Sequence, residues 1–307
     1  MIGLELIKNN IEQDIQKQLN RIGILYRLHS RIKTADSITE KNERNHYSTS
    51  TKLMQDIIGF RVITYFEDDV KLVADYFSNH YIKDNLQYDE PKVNEFNPLR
   101  KNLVCRLNGD NLQIFNEVKS RHEELNFIDA TFEIQFRTTL SEGWHEVEHN
   151  MRYKCKKEWN ELEQESRALN GIYATLETSD YTLRNLFNDI SYKQYKAHNY
   201  SGMIRNKFRL RFKLQDLSND LLEIFNTDDN IYTRVFSFNT DENIIKRIFK
   251  LDRKDLLYKL VNSELRMPIT FNNICFLCNY LYIHDERITQ LTPSILLDDF
   301  KYYFSIE

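Results

Sequence analysis

Glycine and proline are scarce, at 7 and 4 in 307 residues, about a third of their usual combined share. So few turn formers disfavour sandwiches, propellers and glycine-rich nucleotide folds, and they favour helices. Cysteine is equally thin. Four cysteines without even spacing give no disulfide framework and point to a reducing compartment. No apolar stretch reaches the roughly 18 residues that a membrane helix needs. The opening segment, MIGLELIKNNIEQDIQ, lacks the basic-then-apolar order of a secretory signal. Neither sign of charge dominates: 42 Lys and Arg face 46 Asp and Glu, for a net charge of −4. That balance argues against broad non-specific nucleic-acid binding, while leaving room for a local basic patch. Hydrophobic residues make up 41% of the chain, enough for a core and too many for general disorder. Composition therefore implies a cytoplasmic, helix-rich α/β or α+β protein of one large domain or two modest ones.

Along the chain, Leu4, Ile7, Ile11, Ile15 and Leu19 recur at helical spacing. The segment GILYRLHSRIK then alternates, placing Arg27, His29, Arg31 and Lys33 on one face of a strand and Leu28 and Ile32 on the other. A polar segment from Asp36 to Tyr47 opens with a short helix. DIIGFRVITYF at 56–66 reads as a buried β-branched strand followed by a helix over 68–80. Residues 81–101 read as a polar loop, and NLVCRL at 102–107 as another strand. TFEIQFRT at 131–138 alternates cleanly, with Phe132, Ile134 and Phe136 on one face and Glu133, Gln135 and Arg137 on the other. Helices are expected over 141–155 and 157–195. Beyond residue 200 the pattern is helical with short polar breaks, so a boundary is expected between residues 195 and 196.

Each polar strand face, taken alone, also suits the solvent side of a half-buried sheet. Together they suggest more. One face is cationic, another carries Glu133, and a third strand opens on Asp56. Cations beside two carboxylates suit a metal–polyphosphate site, in which Arg and Lys hold phosphate oxygens. Asp56 and Glu133 would then bind Mg²⁺ or take a proton from an attacking hydroxyl.

The order and spacing of these pieces carry a resemblance. Arg31, Lys33, Ser37 and Lys41 form R-x-K-x-x-x-S-x-x-x-K, followed by D-I-I-G-F-R at Asp56 to Arg61. Next come E-I-Q-F-R-T at Glu133 to Thr138 and W-H-E-V-E-H-N-M-R-Y-K at Trp144 to Lys154. The set resembles the synthetase domain of RelA/SpoT-type alarmone synthetases, the GTP pyrophosphokinases, over roughly residues 20–195. The resemblance implies an α+β fold with a nucleotidyltransferase-like small mixed sheet flanked by helices. A RelA/SpoT-like pyrophosphokinase domain would then span 1–195, and an all-helical accessory domain 196–307. It also implies that Arg31 and Arg61 sandwich the adenine of ATP, since guanidinium planes stack well on flat π systems. Lys33, Ser37 and Lys41 would hold the triphosphate, the last two near a helix start. Asp56 and Glu133 would be the catalytic pair and bind Mg²⁺. Glu133 would help deprotonate a 3′-hydroxyl that attacks the β-phosphorus and releases AMP.

The acceptor half departs from the family. Its usual G-Y-x-S-x-H loop, whose Tyr stacks on guanine, is replaced by FNPLRKNLVCRLN at 96–108, and Glu142 stands where an Asn often contacts guanine. Acceptor-side candidates are Gln135, Arg137, Arg100, Lys101, Glu142 and His149. Three outcomes stay open: GTP or GDP held by other groups, a tRNA 3′ end as acceptor, or an ATP-sensing module without transfer. The reading includes no membrane and leaves room for a homo-oligomer. A competing motif, His145-Glu146-Val147-Glu148-His149, satisfies H-E-x-x-H with Glu165 downstream as a third zinc ligand. Cys275 and Cys278 form a lone C-x-x-C that reads as core. Arg205, Lys207, Arg209, Arg211 and Lys213 form either a solvated helix face or, if extended, a phosphate-tracking strip for RNA.

Overall fold

The computed structural model describes residues 2–89, 101–122, 125–213, 215–229 and 243–304. The chain divides into two compact units, one of Met1–Gln18 and Tyr26–Thr182, the other of Leu19–Leu25 and Leu183–Glu307. Compactness thus divides the chain ahead of the boundary expected from composition, inside a long helix.

The first unit is built on a five-stranded mixed sheet in the order β1-β2-β5-β4-β3. The strands are β1 (Tyr26–Ile32), β2 (Ile58–Thr64), β3 (Lys83–Tyr88), β4 (Lys101–Arg106) and β5 (Thr131–Thr138). β1 runs antiparallel to β2, β2 parallel to β5, and β4 antiparallel to both β5 and β3. Strict alternation decides the faces. Ile58, Phe60 and Val62 stand beside Phe132, Ile134 and Phe136 on β5; Leu103 and Cys105 continue the row on β4. All eight are buried.

Helices cover this apolar side. α1 (Ile2–Ile22) buries Leu4, Ile7, Ile11 and Ile15 and approaches α4 (Gly109–Ser120) so closely that a methyl on Gly3 would strike Val118. α3 (Glu67–His80) ends in a polar clasp, because Asp14 of α1 accepts from Tyr81 and pairs with His80. On the opposite face of the sheet lie α2 (Ala35–Asn45), α5 (Thr139–Glu148) and the start of α6 (Glu163–Lys196).

Three departures from the sequence reading are physical. Residues 83–88 form β3 rather than loop, because an edge strand needs no apolar alternation. α4 went unread, having only Phe115 buried. The helix expected over 141–155 ends at Glu148 and widens into a π-turn at His149–Tyr153, and α6 starts at Glu163 rather than 157.

The second unit contains, besides the end of α6, seven helices among the described residues: α7 (Tyr200–Phe208), α8 (Asn219–Asp229), α9 (Ile244–Lys250), α10 (Arg253–Asn262), α11 (Phe271–Cys278), α12 (Glu286–Leu291) and α13 (Ser294–Phe304). Arg21 donates to the carbonyls of Leu260 and Val261, supplying donors and positive charge at the C-terminus of α10. Gly23 is required by its φ of +78° and by Ile269, which would lie 2.8 Å from a Cβ there. Cys275 and Cys278 are fully buried on α11, where burial pushes both thiols up. No helix of the described residues is long and apolar enough to cross a membrane.

The basic run from Arg205 to Lys213 forms neither a helix face nor a strip. α7 stops at Phe208, and Arg209 caps it in the left-handed region with its side chain buried. Lys207 lies over the Phe249 ring and Arg205 over Phe271.

Because β5 is central and Ile134 is fully buried, Ile134→Ala should destabilise the first unit by about 2–5 kcal/mol. Urea unfolding measures this, and a loss below about 1 kcal/mol would place the core elsewhere.

Candidate active site

The open face of the sheet carries rows of polar side chains fixed by register. One row runs His29, Arg61, Gln135, Asn102 across β1, β2, β5 and β4; the next runs Arg31, Gly59, Glu133. Gly59 leaves this second row without a side chain between Arg31 and Glu133. Hydrogen bonds tie the rows together. Glu133 accepts from Asn102 at 3.0 Å through one oxygen and from Gln135 at 3.1 Å through the other. Gln135 in turn accepts from Arg61 Nε at 3.2 Å.

Arg61 is held from the far side by α5. Thr138 caps that helix and, with Ser141, closes a capping box, which sets Glu142 and Glu146 one turn apart on the face toward β2. Arg61 Nη1 donates to Glu142 at 2.6 Å and also to Glu146. Burial alone would make the guanidinium easier to deprotonate, but the two carboxylates outweigh it and raise its pKa.

At the end of β1 the ladder continues one residue further, through Lys33 N to Ile57 O at 2.9 Å. Thr34 then caps α2 by accepting from the Ser37 amide. One turn on from Ser37, Lys41 reaches Asp56 Oδ2 at 2.7 Å, and Lys33 reaches the same oxygen at 2.6 Å. Burial pushes the Asp56 carboxyl up, yet the two ammonium groups prevail and hold it below its ordinary range. Lys33 is itself lowered by burial. The second oxygen of Asp56 is buried with no hydrogen-bond partner. A carboxylate with one oxygen bound to two lysines and the other unmatched suits a cation shared with phosphate oxygens.

Arg31, Lys33, Asp56, Arg61 and Glu133 line one cleft of about 390 Å³, together with Gln135, Glu142, Glu146 and His29. Lys41 enters it only through its bond to Asp56. Ser37 stays on the first turn of α2, bonded to Thr34. Arg137 and His149 line a neighbouring cavity that also includes Arg31, Arg61 and Gln135. Lys101 lies beyond, in a third cavity with Arg137. Arg100 falls outside the described residues. Sequence reasoning missed Asn102 as a site residue, because β4 alternates over too few residues to show its faces. It also missed Glu146, whose signal was its spacing of four from Glu142.

The zinc motif does not assemble. Burial, then Arg137, Arg61 and Lys101, press the pKa of His145 down to about 3, and such a cationic setting repels a dication. His149 stacks on Tyr153 instead. Among the described residues, no three His, Cys, Asp or Glu converge on a metal position.

Residues 30–158 match the family model described as a region found in RelA / SpoT proteins. The chain carries a RelA/SpoT-type domain. No match is found among curated proteins. Among solved structures, small alarmone synthetase 2 from Bacillus subtilis is 20% identical, with 60% of this chain and 92% of that one covered at a TM-score of 0.41. Small alarmone synthetase 1 from the same organism gives 20%, 59%, 88% and 0.41. A GTP pyrophosphokinase family protein from Streptococcus pneumoniae gives 21%, 62%, 92% and 0.41. The matched span of the RelA/SpoT-type domain runs from the end of β1 past α5, and so contains every residue lining the cleft except His29.

Two carboxyls of the first unit predict opposite pH behaviour. Asp56 has a depressed pKa, so its contribution to stability is present above the carboxylate range and is lost as pH falls. Asp56→Asn should therefore destabilise at pH 7, with the gap closing toward pH 3. Asp180 is pushed up to about 6, mainly by burial. Folding then takes up a proton, and stability falls as pH rises from about 4 to about 6. Asp180→Asn should stabilise the protein at pH 8 by about 1–3 kcal/mol and be neutral near pH 4. Thermal melts across pH check both signs.

Proposed function

We propose that the first unit transfers the β,γ-diphosphate of ATP to the 3′-hydroxyl of a guanine nucleotide, the (p)ppGpp-synthetase reaction of a GTP pyrophosphokinase. The observation that carries this reading is the meeting of Lys33 and Lys41 on Asp56, which with Lys33 lines the same cleft as Glu133. Two ammonium groups now neutralised by a carboxylate can turn to a triphosphate, and Ser37 at the start of α2 adds a hydroxyl beside backbone donors.

Arg61 engages its edge with Gln135, Glu142 and Glu146, which leaves its planar faces for the adenine. Arg31, exposed on the adjacent strand, closes on the other side of the base. Asp56 and Glu133 would hold Mg²⁺, which when bound neutralises charge on the transferred group. Mg²⁺ sites commonly use one or two carboxylates plus phosphates, so the pair suffices. Glu133 orients the acceptor 3′-hydroxyl and takes its proton as that oxygen attacks the β-phosphorus. The bond from the β-phosphorus to the bridging oxygen breaks, and AMP leaves with that oxygen. Asn102 and Gln135 fix the Glu133 carboxylate for this task. The protein contributes chiefly position and charge.

Incubating the protein with γ-³²P-labelled ATP, Mg²⁺ and either GDP, GTP or bulk tRNA tests the reading. Label should appear on the guanine nucleotide. Glu133→Gln should lower the rate by about 10²–10⁴ while ATP binding persists. Label on tRNA alone would overturn the acceptor, and label on nothing, with ATP still bound, would overturn the transfer.

A further inference from the structure

In the second unit, the end of α6 and the whole of α9 share a pattern. Tyr192, Tyr195 and Lys196 stand at i, i+3 and i+4 on α6, and Lys246, Phe249 and Lys250 repeat that spacing on α9. Residues so spaced share one face of a helix. Both faces line one cavity of about 460 Å³, a size usual for ligand sites. None of these residues belongs to the span matched by the RelA/SpoT family or to the donor cleft.

The walls combine rings with cations. Tyr195 and Phe249 stack with centroids 5.3 Å apart and planes 13° apart. Tyr192 tilts against both, at 6.5 and 5.9 Å, and stays 48% exposed. Lys196 lies over Tyr192 and Tyr195, at 5.7 and 5.9 Å, and Lys207 of α7 lies over Phe249 at 5.5 Å. Among the described residues lining the cavity there is no Asp or Glu. Lysines in the last turn of a helix answer its negative end, which accounts for Lys196 and Lys250. It does not account for Lys246 in the first turn of α9, where the dipole opposes a cation. Nor does it explain an aromatic cluster kept at the surface among lysines.

We propose that this cavity binds single-stranded nucleic acid, with an unpaired base laid on Tyr192 and the adjoining phosphates held by Lys196, Lys246 and Lys250. A cationic groove set with aromatic side chains is the general means of holding a single strand. The ammonium groups follow the backbone, and every base offers a face to a ring. Tyr195 and Phe249 brace Tyr192 as that platform. Arg, Asn, Gln, Asp and Glu, the side chains that chiefly read base edges, are absent among the described residues lining the cavity, so the strand is taken with little regard to sequence. A duplex hides its base faces within its own stack, and an acidic peptide would meet the lysines while leaving the rings unused. The site does not rest on the transfer reading above.

Fluorescence anisotropy of a labelled oligouridylate tests this, with the donor cleft filled by Mg²⁺ and a non-hydrolysable ATP analogue. The strand should bind. Tyr192→Ala, at an exposed position, should weaken it about fivefold or more. Replacing Lys196, Lys246 and Lys250 with Gln should flatten the log–log fall of affinity with salt by about 2. A duplex of the same length, polyglutamate and uridine monophosphate should each compete poorly. Absence of binding overturns the proposal, as does binding that Tyr192→Ala leaves unchanged or a salt dependence that the lysine variant retains. If the lysine variant fails to fold, Tyr192→Ala decides alone. Duplex or polyglutamate competing as well as the strand would reduce the site to bare charge, and uridine monophosphate doing so would make it a mononucleotide site. Either result overturns the single-strand assignment.

Discussion

The parallel pairing of β2 with β5 is the constraint on which the site depends. Its register sets Arg61 beside Gln135 and Gly59 beside Glu133. A slip of one residue would turn every one of these groups into the apolar layer. The hydrophobic side enforces the register, since Ile58, Phe60 and Val62 must meet Phe132, Ile134 and Phe136 over the helices below. Chemistry on one face is thus held in place by packing on the other. The parallel arrangement also demands a long crossover between the two strands, and that crossover contains α3, β3, β4 and α4.

Around this frame, opposite charges stand paired before any substrate arrives. Lys33 and Lys41 share one oxygen of Asp56, and Arg61 is divided between Glu142 and Glu146. Such pairs solve an electrostatic difficulty, because the proposed polyphosphate cleft would otherwise hold several half-buried cations in mutual repulsion. Asp56 limits that repulsion and keeps an oxygen in reserve. The two glutamates on α5 do the same for Arg61 while fixing its plane. A substrate anion can take over the lysines without the protein having to rebuild its backbone.

Much of this was legible in the residues. TFEIQFRT could only alternate, and its bounds as a strand are those read from the pattern. Lys33, Lys41 and Asp56 were readable as one group through the spacing that resembles the RelA/SpoT family, and the matched span supports that resemblance. What escaped has a common cause. β3 lies at an edge and α4 buries little, so neither carries strong periodicity. Asn102 acquires its hydrogen bond to Glu133 from cross-strand register, and Asp180 its bond from Thr138 from the folding of α6 against the end of β5. Neither relation is written locally. The basic run after residue 204 misled for the opposite reason: its regular spacing is local, but the helix ends in its middle and Arg209 turns inward.

The central claim is that the open face of the sheet is a metal-assisted donor site for ATP, anchored on Asp56. Calorimetric titration of ATP into the protein, with Mg²⁺ and again with a chelator, addresses it most directly. The account predicts clear binding with Mg²⁺, markedly weaker binding without it, and loss of that difference in Asp56→Ala. Affinity for ATP that is indifferent to the metal, or a metal effect that survives Asp56→Ala, would contradict it.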